Sequence, residues 1–162
     1  MNVVQAPARS APTPMVEFKV HASLAVAIGA IALPRRPGEV ERNALGEAVL
    51  LHVAPGSFLA PTPTALLLQR LDAIQMAGIG KVFDVCGKWQ HFDLRGSDVE
   101  RRILSTVDAA RVLHDRECAS VCLFDCPAIL VGGTRGFEAW IASSYAVAFR
   151  EQMTDARGSF ID

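Results

Sequence analysis

Short apolar runs separated by glycine and proline fill the second half of this chain of 162 residues. They limit its fold to short strands joined by tight turns, with a few helices. In the clearest run, Phe92 and Leu94 alternate with polar residues, the period of two that predicts a half-buried strand. Gly96 ends this run. Ser97 and Glu100 follow with the spacing of a capping box, which predicts the start of a helix.

Similar patterns predict the other strands. They are expected at 48–53, 58–60, 81–85, 118–124, 128–131 and 137–141, with one or two more at 16–33. Pro55-Gly56 and Gly132-Gly133 are the expected turns between them, and Asp125 to Pro127 separates two of the strands. Segment 34–46 contains two prolines and several charges, so we expect an exposed loop there.

A helix is predicted to begin at Thr62-Pro63. Threonine can cap free amides, and proline suits the first helical position. The spacing of Leu67, Leu71 and Ile74 puts them on one face of that helix, and Gly78 is a natural stop.

The order of these elements predicts the fold class. With Ser143 or Ser144 as the cap of a last helix, the second half runs β-β-α-β-β-β-α. This order is typical of an α+β fold with a mainly antiparallel sheet and a few packed helices. We expect a flexible tail at 1–15, a single domain at 16–153 and a second tail at 154–162.

Charge and hydropathy exclude several classes of function. The net charge is −1, and no basic block offers a surface for nucleic acid or for an anionic membrane. The longest apolar run, Leu24 to Leu33, is too short to span a bilayer, which takes about 20 residues. No cleavage pattern of small residues follows it, so we expect a cytoplasmic protein. The mean hydropathy of +0.26 favours apolar surface that a partner covers.

Four cysteines are expected to be free thiols, since nothing points to secretion. Cys118, Cys122 and Cys126 are spaced C-x3-C-x3-C, and His114 or Cys86 could supply a fourth metal ligand. In a strand, however, residues four apart lie roughly 13 Å apart, too far to share one ion. We therefore favour a structural role and keep metal or redox chemistry as the alternative.

Other features could each indicate a functional site when considered alone. They are the pair Cys86 and His91, the carboxylate of Asp84, the glycine-rich segment 132–136, and the tryptophans Trp89 and Trp140. A thiol beside an imidazole lacks a third, orienting group, and the glycine-rich segment lacks the Lys-Ser/Thr pair of a phosphate loop. We predict no catalytic, cofactor-binding or metal-binding residue in this chain.

Several segments also carry a family resemblance. They are Val82-Phe83-Asp84-Val85, Phe92 to Gly96, Leu104 with Asp108, Cys118-Ala119 with Leu123, Pro127 to Leu130, Phe137-Glu138 with Ile141, and Ser144-Tyr145-Ala146. In this order and spacing, from about Gly80 to Met153, they resemble the gamma subunit of heterotetrameric sarcosine oxidases. The segment His52 to Leu59 resembles a hairpin of the same family more loosely.

The resemblance implies an α+β fold like that of the folate-binding aminomethyltransferases, without their active site. It implies a structural subunit in a complex that oxidatively demethylates sarcosine or a related N-methyl amino acid. The partners would be large flavin-bearing alpha and beta subunits and a small zinc-bearing delta subunit. FAD, FMN, NAD, tetrahydrofolate and zinc would belong to those partners, with no cofactor in this chain.

The sequence leaves two alternatives open. The first is a free-standing folate-binding or aminomethyltransferase-like protein, in which Asp84 would contact the pterin or the amine. The second is a small metal or redox protein that uses the cysteine triplet.

Overall fold

Most of the chain is described in a computed structural model, which covers residues 4–5, 15–20, 33–34, 36–107, 114, 117–133 and 136–155. The chain divides into two units. The first unit contains Ser10–Cys86 and Arg116–Cys118, and the second contains Met1–Arg9, Gly87–Asp115 and Ala119–Asp162. A compact unit of this kind is not the same as a domain that folds independently, so the single domain expected at 16–153 stays a prediction.

The described residues form ten strands and three helices. The strands are β1 (Val4–Gln5), β2 (Val16–Val20), β3 (Val40–Arg42), β4 (Ala48–Ala54), β5 (Ser57–Ala60), β6 (Gly80–Asp84), β7 (Trp89–Leu94), β8 (Cys118–Leu123), β9 (Cys126–Gly133) and β10 (Gly136–Ala142). The helices are α1 (Ala65–Met76), α2 (Ser97–Thr106) and α3 (Ala146–Asp155), with a 3-10 turn at Ser143–Tyr145 before the last. None of the helices in these ranges is long and apolar enough to cross a membrane.

The first unit is built on a sheet with the strand order β3-β4-β5-β2-β6. Helix α1 packs on one face of this sheet through Leu67, Leu71 and Ile74. Phe18 of β2 and Phe58 of β5 stack in the same cluster, with ring centroids 5.1 Å apart. The apolar spacing of α1 therefore fixes which face of the sheet it covers.

The second unit is built on a sheet with the strand order β1-β7-β10-β9-β8. Its core lies between one sheet face and the helices α2 and α3, because Phe92, Ile103 and Phe149 belong to one buried cluster. Phe92 and Phe149 meet edge to face with centroids 5.0 Å apart. The alternation in β7 decides this face, since Phe92 and Leu94 are buried and His91 is only half-buried.

These observations confirm the predicted fold class. Every strand pair with a determined register is antiparallel. The order β-β-α-β-β-β-α also holds from β6 to α3. The molecule is thus an α+β protein with two antiparallel sheets and packed helices.

The start of α1 corrects the sequence analysis. Thr64, not Thr62, is the N-cap, and its Oγ1 accepts a hydrogen bond from the Leu67 amide at 3.1 Å. The end was predicted correctly, because Gly78 adopts φ 69° just after the helix. Its amide donates to the Gln75 carbonyl, and the Ile79 amide donates to that of Ile74. This pair of bonds is a Schellman motif, which favours glycine at that position.

The capping box predicted at Ser97 is wrong. Gly96, at φ 112°, is the N-cap of α2, and no side chain caps the helix. Ser97 is already the first helical residue, one position too far along for its hydroxyl to bond the amide of the third helical residue. The helix face is as predicted, since Val99 and Ile103 are buried.

Three smaller predictions also change. The expected loop at 34–46 contains β3, because Val40 is buried and pairs with Leu51 of β4. Gly132-Gly133 ends a strand instead of forming a turn, since Gly133 is paired with Gly136. Ser143 does not cap the last helix, and its hydroxyl donates to the Gly87 carbonyl.

Candidate functional site

The three clustered cysteines do not converge on one point. Cys118 begins β8, Cys122 is exposed near the end of the same strand, and Cys126 begins β9. The thiol of Cys118 points to the carbonyl oxygens of Glu39 and His52, both at 3.9 Å. The described part of the chain contains no group of three metal-ligating side chains.

Cys126 has a separate set of neighbours. Its sulfur lies 3.3 Å from the Phe124 carbonyl and 3.9 Å from that of Tyr145. The two residues between the strands, Phe124 and Asp125, have φ 50° and 61°, as a two-residue hairpin turn of type I′ requires. Cys126 therefore packs behind a tight turn.

Both buried thiols are held in the protonated form. Burial raises the pKa of Cys118 from 9.0 to about 12. Burial also raises the pKa of Cys126, and electrostatic effects of the neighbouring Cys122 and Asp125 raise it further. The thiolate is the nucleophile and the metal ligand, so a raised pKa lowers the reactivity of these two sulfurs.

Asp84, Cys86 and His91 each have local hydrogen-bonding partners. Asp84 ends β6, and its Oδ1 accepts a 2.8 Å hydrogen bond from the Cys86 amide, which stabilises a turn. His91 lies on β7, where its Nε2 is 3.3 Å from a carboxylate oxygen of Glu138 on β10. These contacts explain the side chains structurally and assemble no nucleophile with a base.

The two tryptophans lie on the same face of the second sheet. Trp140 is directly opposite His91 in the register of β10 and β7, and their rings are 4.8 Å apart. Trp140 is buried, whereas Trp89 is half-buried with the Lys88 amine 5.5 Å from its ring centre. The indole N–H of Trp89 is buried and finds no hydrogen-bond acceptor in the described ranges.

His52 is a buried polar residue, and the sequence analysis did not predict its burial. Its Nδ1 lies 3.0 Å from the Pro34 carbonyl, so Nδ1 carries the proton and donates it. Its ring stacks on Phe58 at 4.3 Å, and its Nε2 is buried without a partner among the residues described. Its position within the apolar strand β4 could have indicated burial. The strand pattern does not show which residues contact its ring, because Pro34 and Phe58 lie in other segments.

The glycine-rich segment has the geometry of a hairpin. Gly132 and Gly133 pair with Phe137 and Gly136, so the strands β9 and β10 continue to its ends. Thr134 and Arg135 lie outside the described residues. No helix follows this segment directly, as a phosphate loop would require.

Comparison with known proteins gives a structural match. No protein-family model matches the chain, and no curated protein matches it. A solved structure described as heterotetrameric sarcosine oxidase from Corynebacterium sp. U-96 in complex with pyrrole 2-carboxylate contains a similar chain. The TM-score is 0.77 at 19% sequence identity, and the match covers 99% of this chain and 86% of that chain. The two chains share a fold.

Proposed function

We propose that this chain is a non-catalytic, gamma-type subunit of a heterotetrameric complex of the sarcosine oxidase kind. One observation carries the proposal. Nearly the whole chain, 99% of it, follows the fold of a chain from a heterotetrameric sarcosine oxidase. The order of sequence segments from about Gly80 to Met153 supports the same assignment and adds the gamma subunit to it.

In the proposed complex, other subunits carry out the chemistry. Large flavin-bearing alpha and beta subunits and a small zinc-bearing delta subunit would be the partners. They would hold FAD, FMN, NAD, tetrahydrofolate and zinc. The complex would oxidatively demethylate sarcosine or a related N-methyl amino acid, and a cytoplasmic location belongs to the same proposal.

The side chains of this protein favour a structural role. The buried thiols of Cys118 and Cys126 are protonated, and the carboxylate of Asp84 bonds within a turn. Local packing or hydrogen bonding thus accounts for Cys118, Cys126, Asp84 and His91. A subunit that stabilises an assembly needs no more than this.

The surface of α1 supports an assembly role. Leu66 and Met76 point outward, with 49% and 88% of their areas exposed. They share this outer side with two charged residues, Arg70 and Asp72, and with two glutamines, Gln69 and Gln75. In the proposed complex, Leu66 and Met76 are the side chains of α1 that a partner would cover.

Deleting the gene for this chain from its host tests the structural role. We expect the large subunits to lose their assembled state and the extract to lose most of its sarcosine oxidation. Any remaining complex should turn over at an unchanged rate per bound flavin, because this chain supplies no reacting group. Full assembly and activity without the chain would contradict the proposal.

A further inference from the structure

Two lysines face each other at the edge of the first sheet. Lys19 of β2 and Lys81 of β6 are directly opposite in the antiparallel register. Their Cβ atoms therefore lie about 5 Å apart on one face, and both side chains are exposed. Like charges in this position destabilise a sheet, and neither lysine forms a salt bridge with another described residue. A group from outside the described chain would offset that repulsion.

An aromatic ring lies beside the lysine pair. Phe83 follows Lys81 by two residues on β6, so it is on the same face, and 43% of its area is exposed. Glu17 lies opposite Phe83, is half-buried and already has an interaction within the chain. Apart from Glu17, this face of the two strands thus presents two exposed lysines and an exposed phenylalanine.

The strand that carries Lys81 and Phe83 is also an edge strand. β6 is last in its sheet, with β2 on one side and no described strand on the other. A lysine on an edge strand discourages aggregation, which would account for Lys81 alone. It does not account for Lys19, because β2 is an inner strand between β5 and β6.

We infer that the β6 edge binds an extended acidic segment of a partner subunit, which adds a strand to the first sheet. An acidic side chain opposite Lys81 would neutralise the lysine pair, and an apolar one two residues away would cover Phe83. A second copy of this chain fits poorly, since antiparallel pairing of two β6 strands about Val82 would place four lysines on one face. This inference rests on the proposed subunit role.

The native complex provides the first test. A carbodiimide joins lysine amines directly to carboxylates, and we expect it to link Lys19 or Lys81 to an acidic residue of another subunit. The amides of Gly80–Asp84 should exchange with deuterium at least tenfold more slowly in the complex than in the free chain. An intact complex with neither result overturns the inference. Links from Lys81 to a second copy of this chain overturn it as well.

A charge reversal provides the second test and separates binding from folding. Lys81→Glu turns the like-charged pair with Lys19 into an opposite-charged one, so the free chain should unfold at a higher temperature. The same variant should retain at least tenfold less of the partner subunits. Arg101→Glu, which reverses one exposed charge on α2, is the matched control and should retain them as the wild type does. Unchanged retention by Lys81→Glu overturns the inference.

Failure of the inference can be distinguished from failure of the subunit role. If the complex forms but the β6 edge stays exchangeable, the partner docks elsewhere and the subunit role stands. If the chain is isolated from its host without any partner, both proposals are wrong.

Discussion

Among single residues, Cys118 shows how burial changes the pKa of a thiol. The sequence spacing of the three cysteines predicted that they could not share an ion, because β-strand geometry separates them. The spacing could not predict which sulfur is buried, since that depends on contacts with the carbonyls of Glu39 and His52 from distant segments. The raised pKa of this thiol is therefore a property of the folded chain.

The raised pKa of Cys118 predicts a loss of stability in alkali. The pKa is about 12 in the folded chain against an ordinary 9.0, so between these values the unfolded thiol ionises first. The unfolded state then binds fewer protons, and the free energy of unfolding falls with pH by up to about 1.4 kcal/mol per unit. Below pH 9 this stabilisation is fully present.

Denaturant titrations from pH 8 to 11 check this, with Cys118→Ala as the control. In the alanine variant, the free energy of unfolding should fall less steeply with pH, because the contribution of Cys118 is absent. This holds whatever the stability of the variant at pH 8. Parallel curves for the two proteins would show that the thiol is not buried as described.

Gly80 is a position where a methyl group does not fit. A Cβ there would lie 2.6 Å from Cγ2 of Ile74 and 2.8 Å from the Lys19 carbonyl oxygen. Gly80→Ala should therefore lower the free energy of unfolding by about 1–3 kcal/mol, measured by urea titration. Gly46→Ala is the comparison, because no atom lies within 4 Å and only its φ of 80° opposes a side chain. A loss below about 0.5 kcal/mol for Gly80→Ala would contradict the close approach of α1 to β6.

For helices and strands, local sequence patterns predicted the buried positions inside each element better than the residues at which it begins or ends. Leu67, Leu71 and Ile74 are buried as their spacing indicated, and Phe92 with Leu94 faces the core of the second unit. Helix starts were missed by one or two residues, because several threonines, serines and glycines near a helix can act as caps. The choice among them depends on where the preceding strand ends.

The two threonines before α1 allow a matched test of the cap. Thr64→Ala removes the bond to the Leu67 amide and should cost about 1 kcal/mol of stability. Thr62→Ala, the cap favoured by the sequence, should change stability by less than about 0.5 kcal/mol, since it is exposed and outside the helix. Thermal unfolding of the two variants decides between the positions, and equal losses would contradict the assignment of Thr64.

At the scale of the whole molecule, the fold class followed from the order of strands and helices in the second half. The strand order within each sheet did not, because pairing such as β2 between β5 and β6 joins segments far apart in the sequence. The pairing of Lys19 with Lys81 could be identified only from that register, since the two residues are 62 positions apart in the sequence. The candidate docking edge could therefore not be found from the sequence alone.

We propose above that this chain is one subunit of a larger oxidase complex. Native mass spectrometry of the protein, isolated under mild conditions from its own host, tests it most directly. We predict that the chain is found with two large flavin-bearing subunits and a small zinc-bearing one. If it is found alone under conditions that preserve other host complexes, the likeness reflects a shared fold without a shared assembly, and the claim is wrong.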